Sequence, residues 1–228
     1  MSLAIYDDLE QGSDEWLQAR AGILTASVIG QLITPAKVQL SKSDTARSVM
    51  ENLLAERISG HVDEYPMSAD MERGVLDEPY ARDLYASVSP KPVTELGFMV
   101  LERDGKRLGY SPDALVGDDG LGEIKSRKPK IHLRTILDHK VPAENMAQLQ
   151  TGLYVSGREW IDYISYAGGW PLYVIRVYPD QQWFNAIEQA VDAYETFADL
   201  MTDTYKTRTE GAPIAPRIDH YAEKEMTF

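Results

Sequence analysis

The sequence predicts a fold of the mixed α/β (α+β) class, in which a central mixed β-sheet is flanked by helices. Three observations support this prediction: helical periodicity early in the chain, strand-like runs in its middle, and a long amphipathic helix near its end. The 228 residues fit one domain, and no repeat or linker interrupts them. We expect a single domain over residues 1–228, with a helical part at about 10–90, a strand-rich core at about 93–178, and a helix and tail at about 180–228.

Four helices are predicted before residue 90. Ser13 suits the N-cap of a short helix, and the segment TASVIGQLI predicts a second short one. Apolar residues at helical spacing predict a third helix over residues 43–59, followed by a glycine that would end it. A fourth is predicted over residues 71–87, where Pro79 should disturb the middle of the helix or mark a restart.

Two hairpin signals lie in the middle of the chain. Asp104-Gly105 and Asp119-Gly120 each separate two short apolar runs, which is the pattern of a tight β-hairpin. A helix is then predicted near residues 144–155. The runs WIDYISYA and LYVIRVYP that follow are rich in β-branched and aromatic residues, so they predict two more strands.

A long amphipathic helix is predicted after residue 180. Its apolar residues stripe one face, and we expect the opposite, acidic face to be plain solvent surface. The tail after Gly211 is predicted to be irregular. The acidic face carries Glu188, Asp192, Glu195 and Asp199.

The composition excludes several kinds of site. The chain has no cysteine, which removes disulfides, thiolate zinc sites and cysteine nucleophiles. No apolar run approaches the length of a membrane span and the N-terminus lacks the features of a secretory signal, so a cytoplasmic protein without a membrane partner is expected. The net charge of −13 argues against DNA binding as a bulk property. Residues 123–140, however, carry six bases against two acids, which would give a local basic surface unless they are only a solvated face.

The segment GYSPDALVGDDGLGEIKSRKPK carries the residues with the clearest chemistry. If the runs on either side of the Asp119-Gly120 turn pair as strands, Asp113 and Glu123 come close together, because adjacent strands lie about 4.8 Å apart. Two carboxylates at such a distance repel unless a cation lies between them.

Magnesium meets that need, since it prefers oxygen ligands and keeps waters that act as nucleophiles. Mn²⁺ is expected to substitute for it. The carbonyl of Ile124 would be a third protein ligand, and Lys125 would hold an attacking water and stabilise negative charge on a phosphodiester. The same pattern also fits an exposed hairpin with alternating charges, and this alternative stays open from the pattern alone.

Four segments of the chain resemble segments of known nucleases and follow one another in the same order. SPDALVGDDGLGEIKS resembles the Pro-Asp…Glu-x-Lys core of restriction-endonuclease-like nucleases. EQGSDEWLQARAGILTAS, the Gly-x-x-x-Glu segment ending at Glu78, and MAQLQTGLYV are similar to segments of the phage lambda exonuclease family, the YqaJ-type viral recombinases. The similarity spans about residues 10–178 and implies a restriction-endonuclease-like core.

The resemblance also implies roles for individual residues. Asp113, Glu123 and the Ile124 carbonyl would bind the metal, Lys125 would position water, and Glu78 would support the metal and its waters. Gln148 would orient the lysine or the phosphate. A pocket for a terminal 5′-phosphate would be formed by Arg20, Ser27 and Ser111.

The implied activity is a Mg²⁺-dependent 5′-to-3′ exonuclease that digests one strand of linear double-stranded DNA and leaves 3′ single-stranded tails. The resemblance further implies a ring-shaped homotrimer around DNA ends, a single-strand annealing protein as partner, and a phage or prophage gene acting in a bacterial host. Three alternatives remain: an endonuclease on the same core, a non-catalytic DNA-binding protein with a vestigial site, and a host-side protein that borrows the fold.

Overall fold

Residues 1–62 and 67–218 are described in a computed structural model of the chain, so the end of the predicted tail, residues 219–228, lies outside the described residues. These residues form seven helices and eleven strands. The helices are α1 (Asp14–Arg20), α2 (Ala26–Ile29), α3 (Asp44–Ser59), α4 (Ala69–Val88), α5 (Pro129–Asp138), α6 (Ala143–Ser156) and α7 (Gln181–Thr209). The strands are β1 (Ser2–Tyr6), β2 (Leu24–Thr25), β3 (Ile33–Thr34), β4 (Gln39–Leu40), β5 (Val93–Thr94), β6 (Phe98–Arg103), β7 (Lys106–Tyr110), β8 (Ala114–Val116), β9 (Gly120–Ser126), β10 (Trp160–Tyr166) and β11 (Tyr173–Val177).

Two sheets occupy the centre of the fold. One has four strands in the order β1-β6-β7-β2, and the other has five in the order β11-β10-β9-β8-β5, while β3 and β4 pair separately. Both larger sheets are mixed, because β2 pairs parallel to β7 and β10 pairs parallel to β9 among otherwise antiparallel neighbours. The predicted mixed sheet flanked by helices is confirmed, although its strands divide between two sheets.

The early helices begin and end where local chemistry predicts. Ser13 accepts a hydrogen bond from the amide of Trp16 at the start of α1, and Ser43 caps α3 in the same way. Gly60 ends α3 in the left-handed conformation, at φ 63°. The helix α4, in contrast, runs without a restart through Pro79, so the expected interruption is wrong. Proline removes one backbone donor, and the remaining hydrogen bonds of this 20-residue helix keep it continuous.

The long helix α7 packs its apolar stripe into the main core. Trp183, Ile187 and Tyr194 are buried there, together with residues of α6 and of the four-stranded sheet. The opposite face is not plain solvent surface as expected. Three of its acids bind bases from other elements: Glu188 pairs with Arg103, Asp192 with Lys106 and Glu195 with Arg57. The sequence shows the acids on one face of the helix, and only the fold shows the bases opposite them.

Among the elements that the sequence did not predict, two are longer than two residues. The strand β1 pairs with β6 although all five of its residues are exposed. The helix α5 begins at Pro129 and carries part of the basic run, and its own residues His132 and Thr135 are buried. Residues 212–218 have no regular structure, as predicted for the tail. In the described ranges no helix combines the length and apolar composition that crossing a membrane requires.

Candidate functional site

The β8–β9 hairpin brings the two predicted carboxylates together. Ala114 pairs with Gly122, and one residue further along this register Asp113 stands opposite Glu123. Opposite residues of antiparallel strands project from the same face of a sheet. Asp113 Oδ2 also accepts a hydrogen bond of 2.6 Å from the amide of Ile124, which ties the acid to the neighbouring strand.

Glu123 is the most enclosed of these acids, with no exposed surface. Its Oε1 accepts a hydrogen bond of 2.6 Å from Lys125 Nζ, and its Oε2 has no hydrogen-bond partner among the described residues. Burial, and then the charge of Asp113, raises the pKa of Glu123 to about 8. A buried carboxylate oxygen without a donor costs free energy, so this oxygen is the atom that a cation would satisfy.

The helix α4 adds a third acid and a base. Glu78 lies close enough for its charge to act on Glu123, and its own side chain binds Arg82 one turn along the helix. Burial, followed by the charge of Asp113, raises the pKa of Glu78 to about 7. Arg82 Nε in turn donates to the backbone carbonyl of Asp113 at 2.8 Å, so α4 and the hairpin are fixed to each other at the site.

Tyr110 lies close to Glu123, and no motif in the sequence points to it. Its hydroxyl, like Glu123 Oε2, makes no hydrogen bond of good geometry to the described residues, but the two groups are close together. After burial, Glu123 raises the pKa of Tyr110 by its charge and as a hydrogen-bond acceptor. Gly152 of α6 leaves room for the ring, because a Cβ atom there would lie 2.7 Å from Tyr110 Cζ. The segment MAQLQTGLYV therefore contacts Tyr110 through a glycine.

The donor set fits a hard divalent cation. Asp113 and Glu123 offer carboxylate oxygens on one face, and Glu123 Oε2 is buried without a hydrogen-bond partner among the described residues. Within residues 1–62 and 67–218 no group of three or more acidic, histidine or cysteine side chains is placed to hold a metal. Magnesium needs only one or two carboxylates, because waters and substrate oxygens complete its shell. We name Glu78, Asp113, Glu123 and Lys125 the acidic cluster.

The two glutamines of α6 differ in their surroundings. Gln150 is buried and bonds the backbone at both ends, donating to Tyr178 O at 2.8 Å and accepting from the amide of Asp180 at 2.9 Å. It therefore joins α6 to the start of α7. The side chain of Gln148 belongs to a half-buried residue and makes no hydrogen bond to other described residues, so its amide is available to a ligand.

A second polar cluster forms around Arg20. Its Nη2 lies 3.1 Å from Ser27 Oγ and 3.4 Å from Thr25 Oγ1, and these two hydroxyls lie 3.0 Å from each other. Trp16 Nε1 donates to Ser111 Oγ at 2.9 Å, and the Arg20 guanidinium stacks on the Trp16 ring at 3.8 Å. The fold thus brings the three predicted residues together and adds Thr25 and Trp16. We name these five residues the Arg20 cluster.

The Arg20 cluster is positive and adjoins the acidic cluster. Burial lowers the pKa of Arg20 to about 10, which leaves it charged at neutral pH. Ser111 and Asp113 are two residues apart on the segment between β7 and β8. Exposed bases also lie on α5 and just after it, at Lys130, Arg134 and Lys140. A cationic fork with hydroxyls suits a terminal phosphate.

Comparisons with known proteins identify the family and the fold. The YqaJ-like viral recombinase domain matches residues 15–159. The alkaline exonuclease LHK-Exo from Laribacter hongkongensis, solved alone and in complex with dAMP, is 31% identical with a TM-score of 0.75, covering 86% of this chain and 98% of that one. A phage related exonuclease from Haemophilus somnus 129PT is 13% identical with a TM-score of 0.58, over 80% of this chain and 96% of that one, and shows likeness of fold alone. Comparison with curated protein sequences gave no significant match.

Proposed function

Because the chain belongs to the YqaJ-like viral recombinase family and is a nuclease, we propose that it is a Mg²⁺-dependent exonuclease. It degrades one strand of linear double-stranded DNA in the 5′-to-3′ direction and leaves 3′ single-stranded tails for recombination by strand annealing. The observation that carries the proposal is the unpartnered Oε2 of Glu123, buried beside Asp113 and Lys125. The similarity to LHK-Exo, an alkaline exonuclease, supports it.

The residues of the acidic cluster have separate tasks in this proposal. Asp113, Glu123 and the Ile124 carbonyl would hold Mg²⁺, or Mn²⁺ in its place, and the ion would supply charge neutralisation and an acidified water. Lys125, whose Nζ is 2.6 Å from Glu123, holds the attacking water and stabilises charge on the phosphate. Glu78 binds waters of this site, and Gln148 orients the lysine or the phosphate.

The Arg20 cluster supplies the direction of digestion. A duplex end with a 5′-phosphate places its dianion on Arg20 and on the hydroxyls of Thr25, Ser27 and Ser111. The first phosphodiester then faces the acidic cluster, because Ser111 and Asp113 belong to one short segment. An interior phosphodiester lacks the extra charge that this pocket would bind, so cleavage begins at ends.

A single assay tests the activity. We expect 5′-phosphorylated linear duplex to release mononucleotides when Mg²⁺ is present and to stay intact in EDTA, while closed circular DNA stays intact in both. Cleavage of closed circles would show the alternative endonuclease. DNA binding without released nucleotides would show a non-catalytic protein with a vestigial site.

Replacing Arg20 should lower the cleavage rate only on DNA ends that carry a 5′-phosphate. Arg20→Gln removes the charge and the planar fork, so the rate on 5′-phosphorylated duplex should fall by roughly 10² while the rate on 5′-hydroxyl duplex changes little. The two rates are compared on one sequence with and without a 5′-phosphate. Arg134→Gln on the exposed surface of α5 is the matched control, since it removes a charge outside the cluster. Equal losses of Arg20→Gln on both ends would remove Arg20 from the pocket.

We also propose that the protein forms a ring-shaped homotrimer that encloses duplex ends. It would be encoded by a phage or prophage gene and work with a single-strand annealing protein in the cytoplasm of a bacterial host. Apolar side chains exposed along α4 support a contact with other chains, because large exposed apolar surface marks interfaces. They include Met71, Val75, Leu76, Tyr80 and Val88. The net charge of −13 suits a ring whose outside repels DNA.

A further inference from the structure

A tight turn connects α1 to β2 inside the Arg20 cluster. The amide of Ile23 donates to the carbonyl of Arg20 at 3.0 Å, and Ala21 (φ −51°, ψ 121°) and Gly22 (φ 64°) have the angles of a type II turn. The turn begins at Arg20 and leads directly to Thr25 and Ser27. Its geometry therefore fixes where the guanidinium stands relative to the two hydroxyls.

Both polar backbone groups of Gly22 are held by side chains from distant helices. Its amide donates to Glu56 Oε2 at 3.0 Å. Its carbonyl accepts from Arg57 Nη2 at 2.8 Å, from Arg57 Nε at 3.1 Å and from Tyr194 Oη at 3.0 Å. The turn also packs directly on α3, because a Cβ atom on Gly22 would lie 2.5 Å from Arg57 Cβ. Side chains of α3 and α7 therefore hold this turn in place.

Arg57 is itself fixed by α7. It forms two hydrogen bonds with Glu195, at 2.6 Å and 2.9 Å, and stacks on Tyr194 at 4.8 Å. The side chains of this pair are only 25% and 14% exposed, whereas those of the Arg103–Glu188 pair on the same helix are 51% and 41% exposed. A bidentate, sheltered pair holds its geometry far better than an exposed one.

We propose that Arg57 and Glu195 are positioning residues for the 5′-phosphate pocket, so that α7 sets the preference of the enzyme for phosphorylated ends. The inference rests on the proposed function of the Arg20 cluster. It assigns a task to α7, which lies beyond residues 15–159 matched by the family. A purely structural clamp would stabilise the fold without affecting which end is bound.

Binding in EDTA tests the inference without cleavage. The affinities of 5′-phosphorylated and 5′-hydroxyl duplex of one sequence are measured by fluorescence anisotropy, and their ratio is the readout. Glu195→Gln releases Arg57 from its charged partner. We expect the affinity ratio to fall roughly tenfold, which corresponds to the free energy of about one hydrogen bond to a charged group. The affinity for the hydroxyl end should stay unchanged. Glu188→Gln is the control, since it breaks the exposed pair on the same helix and should keep the wild-type ratio.

Each outcome decides a different point. A wild-type protein that binds both ends equally would overturn the proposed pocket and the inference together. If the wild type prefers the phosphorylated end and Glu195→Gln keeps that preference, the inference alone is overturned. The same holds if Glu188→Gln loses the preference as much as Glu195→Gln does. If Glu195→Gln does not fold, as thermal unfolding would show, Tyr194→Phe removes one donor to Gly22 without a change of charge, and an unchanged ratio in that variant counts against the inference.

Discussion

Replacing Glu123 with glutamine is expected to lower the rate of DNA cleavage by at least about 10³, or about 4 kcal/mol of barrier. The amide keeps the size of the side chain and can still accept from Lys125, but it withdraws the negative charge that a hard cation needs. The rate on linear duplex is measured at saturating Mg²⁺. Thermal unfolding in EDTA should show equal or higher stability, because the amide cannot carry the charge that burial and Asp113 disfavour at this position.

The matched control for Glu123→Gln is Glu95→Gln. Glu95 pairs with Arg82 close to the site, but its side chain is 72% exposed. We expect this variant to cut DNA at close to the wild-type rate. Normal cleavage by Glu123→Gln would show that the catalytic cation is bound elsewhere.

Replacing Lys125 with methionine should have a similar effect on cleavage and the opposite effect on stability. The variant keeps the apolar stem but leaves Glu123 fully buried with neither oxygen partnered. A buried carboxyl group that loses its hydrogen-bond donor costs about 1–3 kcal/mol. We expect the free energy of unfolding in EDTA to fall by about that amount, and the cleavage rate to fall by roughly 10³ because the attacking water loses its ammonium partner. Chemical denaturation and single-turnover kinetics measure the two effects.

Lys125→Arg separates the two roles of Lys125. A guanidinium keeps the positive charge beside Glu123, so stability should return, but its planar shape differs from a compact ammonium and cleavage should return only in part. A Lys125→Met protein as stable as wild type would mean that the pair with Glu123 is not formed in solution.

Local signals predicted the features that residues close to each other in the sequence form. The hairpin predicted around Asp119-Gly120 is present and places Asp113 opposite Glu123, but its turn lies one step earlier than predicted. Residues 117–119 form the connection, with Gly117 at φ 56°, and Gly120 is already the first residue of β9. Ser43 caps the start of α3, and Gly60 ends the helix in the left-handed conformation. Such features depend on neighbours within a few residues, which the sequence displays directly.

Contacts between distant segments could not be predicted in this way. The strand β1 is exposed throughout and is defined only by its pairing with β6. Trp16 and Ser111, which form a hydrogen bond, are 95 residues apart in the sequence. Tyr110 and Glu123 lie on strands of different sheets. The bases that pair with the acids of α7 come from distant segments, so only the fold identifies them. Pro79 is tolerated inside α4, a helix that packs on β9, and the local sequence does not indicate this packing.

The parallel pairing of β9 with β10 also bears on the synthesis of the protein. The strand that carries Glu123 and Lys125 lies in the interior of its sheet, and its parallel partner extends over Trp160–Tyr166, after two intervening helices. A growing polypeptide emerges from the ribosome with its amino end first, so β9 remains without this neighbour until residue 166 has been translated and released from the tunnel. A chain shorter than this therefore lacks the strand that completes the sheet around Glu123 and Lys125.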